Sequence, residues 1–179
     1  MAKALDGVVA AADNVPVFLG TGRVFADSLT AGPAAADQCG VILLTENDKM
    51  SAPTIKWLQA AKPQVVAAVG GPARTAAASS ATVSFVGKDR FETAKLVNLR
   101  YLSDRNVLGI ATGYDYPDAL TGAALVANAD GGMLLVNVTN VPYQTSLGIQ
   151  GGDWTQPVIF GGTGAVSAEV SAEINGILN

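Results

Sequence analysis

Short unbroken apolar runs alternate along the chain with alanine-rich stretches of helical length. Val15–Gly20, Val41–Thr45, Val65–Val69 and Val83–Val86 read as strands, and so do Val107–Ala111, Met133–Val136 and Val158–Phe160. Between them Phe25–Asp37, Ala52–Ala61, Ala73–Ala81, Arg90–Leu102, Pro117–Asn128 and Ser167–Leu178 are filled by strong helix formers, above all alanine. The stretch 142–154 is less regular, and no element is predicted for it. Continuous apolar strands separated by helices predict a parallel sheet covered on both faces.

The pattern also repeats. Thr21-Gly22 recurs as Thr112-Gly113, and Asp27-x-Leu29-Thr30 as Asp118-x-Leu120-Thr121. Leu43-Leu44 recurs as Leu134-Leu135, and Gly70-Gly71 as Gly161-Gly162. Every offset is 91, and residues 20–75 align on 111–166 without a gap, at 13 identities in 56. That identity alone is modest. The constant offset across four separate motifs establishes the repeat. Two small layered α/β units in tandem are therefore expected, 1–84 and 85–179. No Pro- or Ser-rich linker divides them, so they are expected to pack directly on each other.

Composition narrows the function classes. With 49% hydrophobic and 15% charged residues, the chain is far from the profile of a disordered one. Its longest apolar runs, such as Val65–Val69, are far short of the roughly 20 residues a membrane span needs. A net charge of −4 argues against a general nucleic-acid binder. Residues 1–86 balance six basic against six acidic side chains, whereas 87–179 carry five basic and nine acidic ones. All five of those basic residues fall between Lys88 and Arg105. Histidine is absent, which removes the commonest general base and the commonest metal ligand. Cys39 is the only cysteine, so no intrachain disulfide forms. No catalytic residue, metal ligand or cofactor is expected. The N-terminus, with one lysine and two aspartates around a short apolar stretch, makes a poor signal peptide.

Several repeated motifs carry candidate chemistry. Thr-Gly-x-x-x-x-Asp-x-Leu sits where a strand gives way to a helix, and Pro117 suits a first helical position. Asp27 and Asp118 then fall in the first turn, where the helix dipole favours an acid. Each is either a stabilising first-turn acid or a group facing a ligand at the carboxyl end of the sheet. With them go Thr21, Gly22, Thr112 and Gly113. Gly20-x-Gly22 lacks the third glycine of a dinucleotide fingerprint, because Phe25 stands there. The Gly70-Gly71 and Gly161-Gly162 pairs supply either a sharp turn or a backbone cradle for a phosphate or sugar. In Gly87–Ala94, Asp89 and Arg90 precede a helix, either as a cap and surface network or with Arg90 forking onto an anion.

Four of these motifs in order carry a family likeness: Gly87–Ala94, Ala111–Leu120, Leu134-Leu135 and Gly161–Ser167. Unit two resembles the cell-wall-binding repeat type 2 family almost end to end. Unit one matches less well. Phe25-Ala26-Asp27-Ser28-Leu29 replaces the Tyr-Pro-Asp-Ala-Leu form, and the Gly-x-Asp-Arg head is absent. It is read as an incomplete or degenerate repeat. The resemblance implies two small Rossmann- or Toprim-like parallel-sheet units. It implies a secreted, surface-located protein of Gram-positive bacteria, held to the wall through a wall polymer that is anionic in clostridial examples. It further implies that three repeats assemble with pseudo-threefold symmetry, so further repeats or a homo-oligomer are expected as partners. The implied ligand-binding residues are Asp89, Arg90, Thr112, Gly113, Asp118, Gly161 and Gly162, with Thr21, Gly22 and Asp27 in unit one. Two other readings remain: a surface protein using the repeat for assembly alone, and a nucleotide- or phosphate-binding enzyme domain.

Overall fold

Unbroken apolar runs need cover on both faces, and they find it. β1 (Val17–Thr21) and β3 (Val66–Val69) are buried at every residue, and so is β6 (Gly132–Val136). β5 (Val107–Thr112) is buried at all but its first. β2 (Val41–Thr45), β4 (Val83–Phe85) and β7 (Gln156–Ile159) lie at sheet edges and are more open. The computed structural model describes residues 15–179. The expectation for Ala2–Ala12 falls outside the described residues.

The strands form two parallel sheets, of order β2-β1-β3-β4 and β6-β5-β7. The 91-residue offset carries the first three strands onto the last three. Thr21 pairs with Thr45 in one sheet as Thr112 pairs with Val136 in the other. The helices are α1 (Phe25–Asp37), α2 (Ala52–Ala61), α3 (Gly71–Ala76), α4 (Arg90–Tyr101), α5 (Tyr116–Asn128), α6 (Tyr143–Gln150) and α7 (Ala168–Leu178). The chain is thus two tandem α/β units.

Two elements differ from expectation. The helix expected over Ala73–Ala81 ends at Ala76, because the amides of Ala78 and Ser80 reach only three residues back, to the Thr75 and Ala77 carbonyls, and break the four-residue ladder. That turn brings Thr82 to the edge of β3, where it bonds Val66 through both its amide and its hydroxyl. The irregular stretch 142–154 contains α6. Thr145 and Gly148 are poor helix formers, but Thr145 is fully buried and its hydroxyl donates to the Leu135 carbonyl at 2.6 Å. The Trp154 indole donates to the Gly148 carbonyl at 3.1 Å. Tertiary bonds therefore hold a helix that local propensity does not announce. The repeat did carry a signal, since α6 is the counterpart of α2.

One core runs through both units. Phe18, Ala67 and Val69 on one face of the first sheet join Leu108, Ile110, Leu134 and Ile174 in a single cluster. Val17, Leu19, Val66 and Ala68 point to the other face, onto Trp57 and Ala73. α1 crosses α5 closely, with Gly32 against Ala123. Tyr101, at the end of α4, sits edge-on to Phe18 and Phe85 of the first sheet at 5.4 and 5.5 Å. Asn98 on the same helix is fully buried, and its amide bonds the Ala94 carbonyl and both backbone groups of Met133. So α4 locks one sheet to the other.

Candidate functional site

The βα turns are built alike in both units. Thr21 and Thr112 are buried, and their hydroxyls accept the amides of Arg23 and Tyr114 at 3.1 and 3.3 Å. Gly22 and Gly113 follow, donating to the Thr45 and Val136 carbonyls at 3.0 and 2.9 Å. The two threonines thus shape the turn, and their hydroxyls point into it. Gly70 and Gly161 sit at φ +85° and +104°, a region open to glycine and little else. Asp27 packs its carboxylate against Gly70, and Asp118 packs its own against Gly161. The Asp–Gly pairing is therefore a repeated device.

What surrounds the two aspartates differs. Asp27 lies at the seam between the units, beside Arg90, Thr93 and Asp89 of α4 and its cap. Its Oδ1 is buried and has no hydrogen-bond partner among the described residues. Burial pushes the Asp27 carboxyl above its ordinary value; Arg90 and then the Thr93 hydroxyl pull it down by less, and Asp89 adds a smaller upward push. Arg90 itself donates to the Gly113 carbonyl and lies over the Tyr114 ring, 5.3 Å from its centroid. Asp89 caps α4, its Oδ1 accepting the Glu92 amide at 2.9 Å, while Glu92 accepts the Lys88 amide at 2.7 Å. That is a capping box shifted by one residue. A further clasp joins the units where Arg105 donates to Asp37 through Nε and Nη2 at 3.1 and 2.6 Å. The Gly87–Ala94 motif thus works as a joint. Thr93 and Tyr114 belong to it as well; in the sequence Thr93 lies within Gly87–Ala94, and Tyr114 is signalled only by its place after Thr112-Gly113.

In unit two the corresponding edge is open. Asp118 is half-buried like Asp27, but Gly161 is exposed where Gly70 is buried, and beside it Gly162 is exposed with open space where a side chain would stand. Tyr114, Tyr116, Leu120 and Leu125 are exposed around them. Among the described residues no three His, Cys, Asp or Glu side chains gather as a metal site would require, and no helix is long and apolar enough to cross a membrane.

The Asp27 environment makes a pH prediction. A raised folded-state pKa adds stability that is fully present below the ordinary value of 3.8 and is lost as pH rises through the folded value. Asp27→Asn should remove that slope. Melting temperatures of the two proteins from pH 3.5 to 7, about the range in which carboxylates titrate, should differ by an amount that shifts in favour of the variant as pH rises. A constant difference would show that Asp27 titrates normally.

A tandem pair of parallel α/β units, with one Asp–Gly device committed to the joint and one open, defines a repeat module. Residues 2–79 and 85–171 match the family model for Cell wall binding domain 2, and the chain belongs to that family. It is 28% identical over 160 residues to the N-acetylmuramoyl-L-alanine amidase LytC of Bacillus subtilis (strain 168), a stretch covering 83% of this chain and 32% of that protein. Cwp6 from Clostridium difficile superposes with a TM-score of 0.80 at 26% identity, over 92% of this chain and 28% of that one. Cwp8 from the same organism shares the fold, with a TM-score of 0.76 at 20% identity, over 92% and 29%. The chain thus spans about a third or less of the length of each.

Proposed function

We propose that this chain is a non-catalytic module, one that holds a surface protein on the Gram-positive cell wall by binding a wall polymer. Family membership over both repeats is the observation that carries this reading. The polymer contact is assigned to the carboxyl edges of the sheets: Asp118, Gly161 and Gly162 in unit two, and Gly22 in unit one. Thr21, Thr112, Gly113, Asp89, Arg90 and Asp27 shape those edges from beneath. Absence of histidine fits a binding rather than a hydrolytic role. Sedimentation with purified walls, before and after anionic polymers are stripped, tests the proposal. Binding that survives on intact walls and falls on stripped ones supports an anionic ligand. Binding to neither overturns the reading and favours a repeat used only for assembly.

The open face of α5 bears on partners. Leu120 and Leu125 are 50% and 53% exposed, whereas their repeat counterparts on α1 are covered, Leu29 partly and Ala34 fully. What covers α1 is α5 and α4 of the next unit. We assign the α5 face to another unit of the same kind, supplied in solution by a second copy of this chain. Light scattering over a concentration series should show the mass rising from 18.1 kDa toward a dimer or trimer. A strict monomer at high concentration would show that two units suffice.

A further inference from the structure

A cavity of about 360 Å³ opens at the carboxyl edge of the first sheet, between the ends of β1 and β2 and the start of α2. That is the size range of small-ligand sites. Leu44 and Pro53 line it with exposed apolar surface over the buried Leu43, and Arg23, Glu46 and Ser51 supply its polar groups. The Ser51 hydroxyl donates to Thr54 Oγ1 at 2.9 Å and accepts the Thr54 amide at 3.3 Å, which leaves one lone pair for a ligand. Arg23 and Glu46 are exposed, and Arg23 makes no ion pair among the described residues.

The two units differ here. The repeat places Tyr114 of unit two where unit one has Arg23. At Tyr114 the cation comes from Arg90, already committed to the Gly113 carbonyl and the joint. In unit one the cation is part of the edge itself and faces an open cavity.

We propose that this cavity binds one sugar residue bearing a single phosphate or carboxylate. Arg23 forks onto the anionic group. Glu46 and Ser51 accept hydrogen bonds from ring hydroxyls, and the Leu44 and Pro53 surface receives the sugar's C–H face. Glu46 also disfavours a ligand of higher negative charge. The proposal rests on the wall-binding reading and sharpens it: of the two carboxyl edges assigned to the polymer, unit one's takes the charged group.

The test uses the full chain, isotopically labelled, titrated with glucose 1-phosphate, with glucose and with inorganic phosphate while amide shifts are followed. Glucose 1-phosphate should shift Gly22, Arg23, Glu46 and Ser51 saturably in the millimolar range (~1–10 mM). Glucose or phosphate alone should act at least about 10-fold more weakly, and Arg23→Gln should weaken the sugar phosphate about 10- to 100-fold at unchanged melting temperature. Equal shifts with inorganic phosphate would reveal an anion contact without sugar recognition and overturn the proposal, as would shifts confined to the Tyr114 loop or none at all. Wall sedimentation separates the two levels. If Arg23→Gln sediments like the parent, the cavity has no part in wall binding and the wall reading stands. If the parent itself does not sediment, the wall reading fails, and the titration alone decides the cavity.

Discussion

Gly70→Ala is expected to destabilise the protein by about 3 kcal/mol or more, lowering its melting temperature by roughly 6–12 °C. Two causes add. Gly70 has φ +85° and ψ 156°, a conformation that costs any residue with a Cβ dearly. A Cβ there would also drive into the Asp27 carboxylate. Asp27 has nowhere to retreat, because its Oδ1 is already buried and α4 closes the seam around it. Gly161→Ala repeats the test in unit two, where φ is +104° and an added Cβ would meet both the Asp118 carboxylate and the Ala165 Cβ. Both variants should lose stability, because strain and collision act in each. A variant as stable as the parent would show that the positive φ and the Asp–Gly contact carry no cost.

Arg90→Ala should cost about 2–3 kcal/mol, the worth of a charge-assisted bond together with the desolvation left behind. The variant loses the bond to the Gly113 carbonyl and the contact with Tyr114, and it strips Asp27 of the positive charge that offsets its burial. The last of these is separable. Adding Asp27→Asn to Arg90→Ala removes the stranded carboxylate and should recover part of the loss near neutral pH. Urea melts of the two single variants and the double variant measure the coupling. A double variant no more stable than Arg90→Ala would mean that the two residues do not communicate. On this account Arg90 is a positioning residue at the joint, so wall affinity compared under conditions where the variant remains folded should fall less than stability does.

The strands were legible because each is an unbroken apolar run, and burial on both faces is what such runs require. The repeat was legible for a related reason: the turns after the strands need Thr-Gly, Asp and Gly-Gly at fixed places, and the offset preserves them. α6 was not, because Thr145 and Gly148 owe their helical state to Leu135 and Trp154, which local periodicity cannot see. The site was legible in its residues and not in its directions. Asp27 and Asp118 read identically along the chain, yet one lies beside α4 with a buried oxygen and the other packs on an exposed glycine. Arg90 reads as an anion ligand or a cap network; its guanidinium meets the Gly113 carbonyl and Tyr114, which only the folded chain brings beside it. The cavity at Arg23 escaped notice because none of its lining residues beyond Gly22 and the Leu43-Leu44 pair belongs to a repeated motif.

The central claim is binding to wall material without hydrolysis, and one assay meets it directly. The full chain is incubated with purified Gram-positive walls, and the sedimented protein and the sugar released to the supernatant are measured together. The account predicts saturable co-sedimentation with no release of soluble wall fragments above a protein-free control. Failure to sediment would contradict the binding half of the claim, and release of sugar that grows with time and protein concentration would contradict the other.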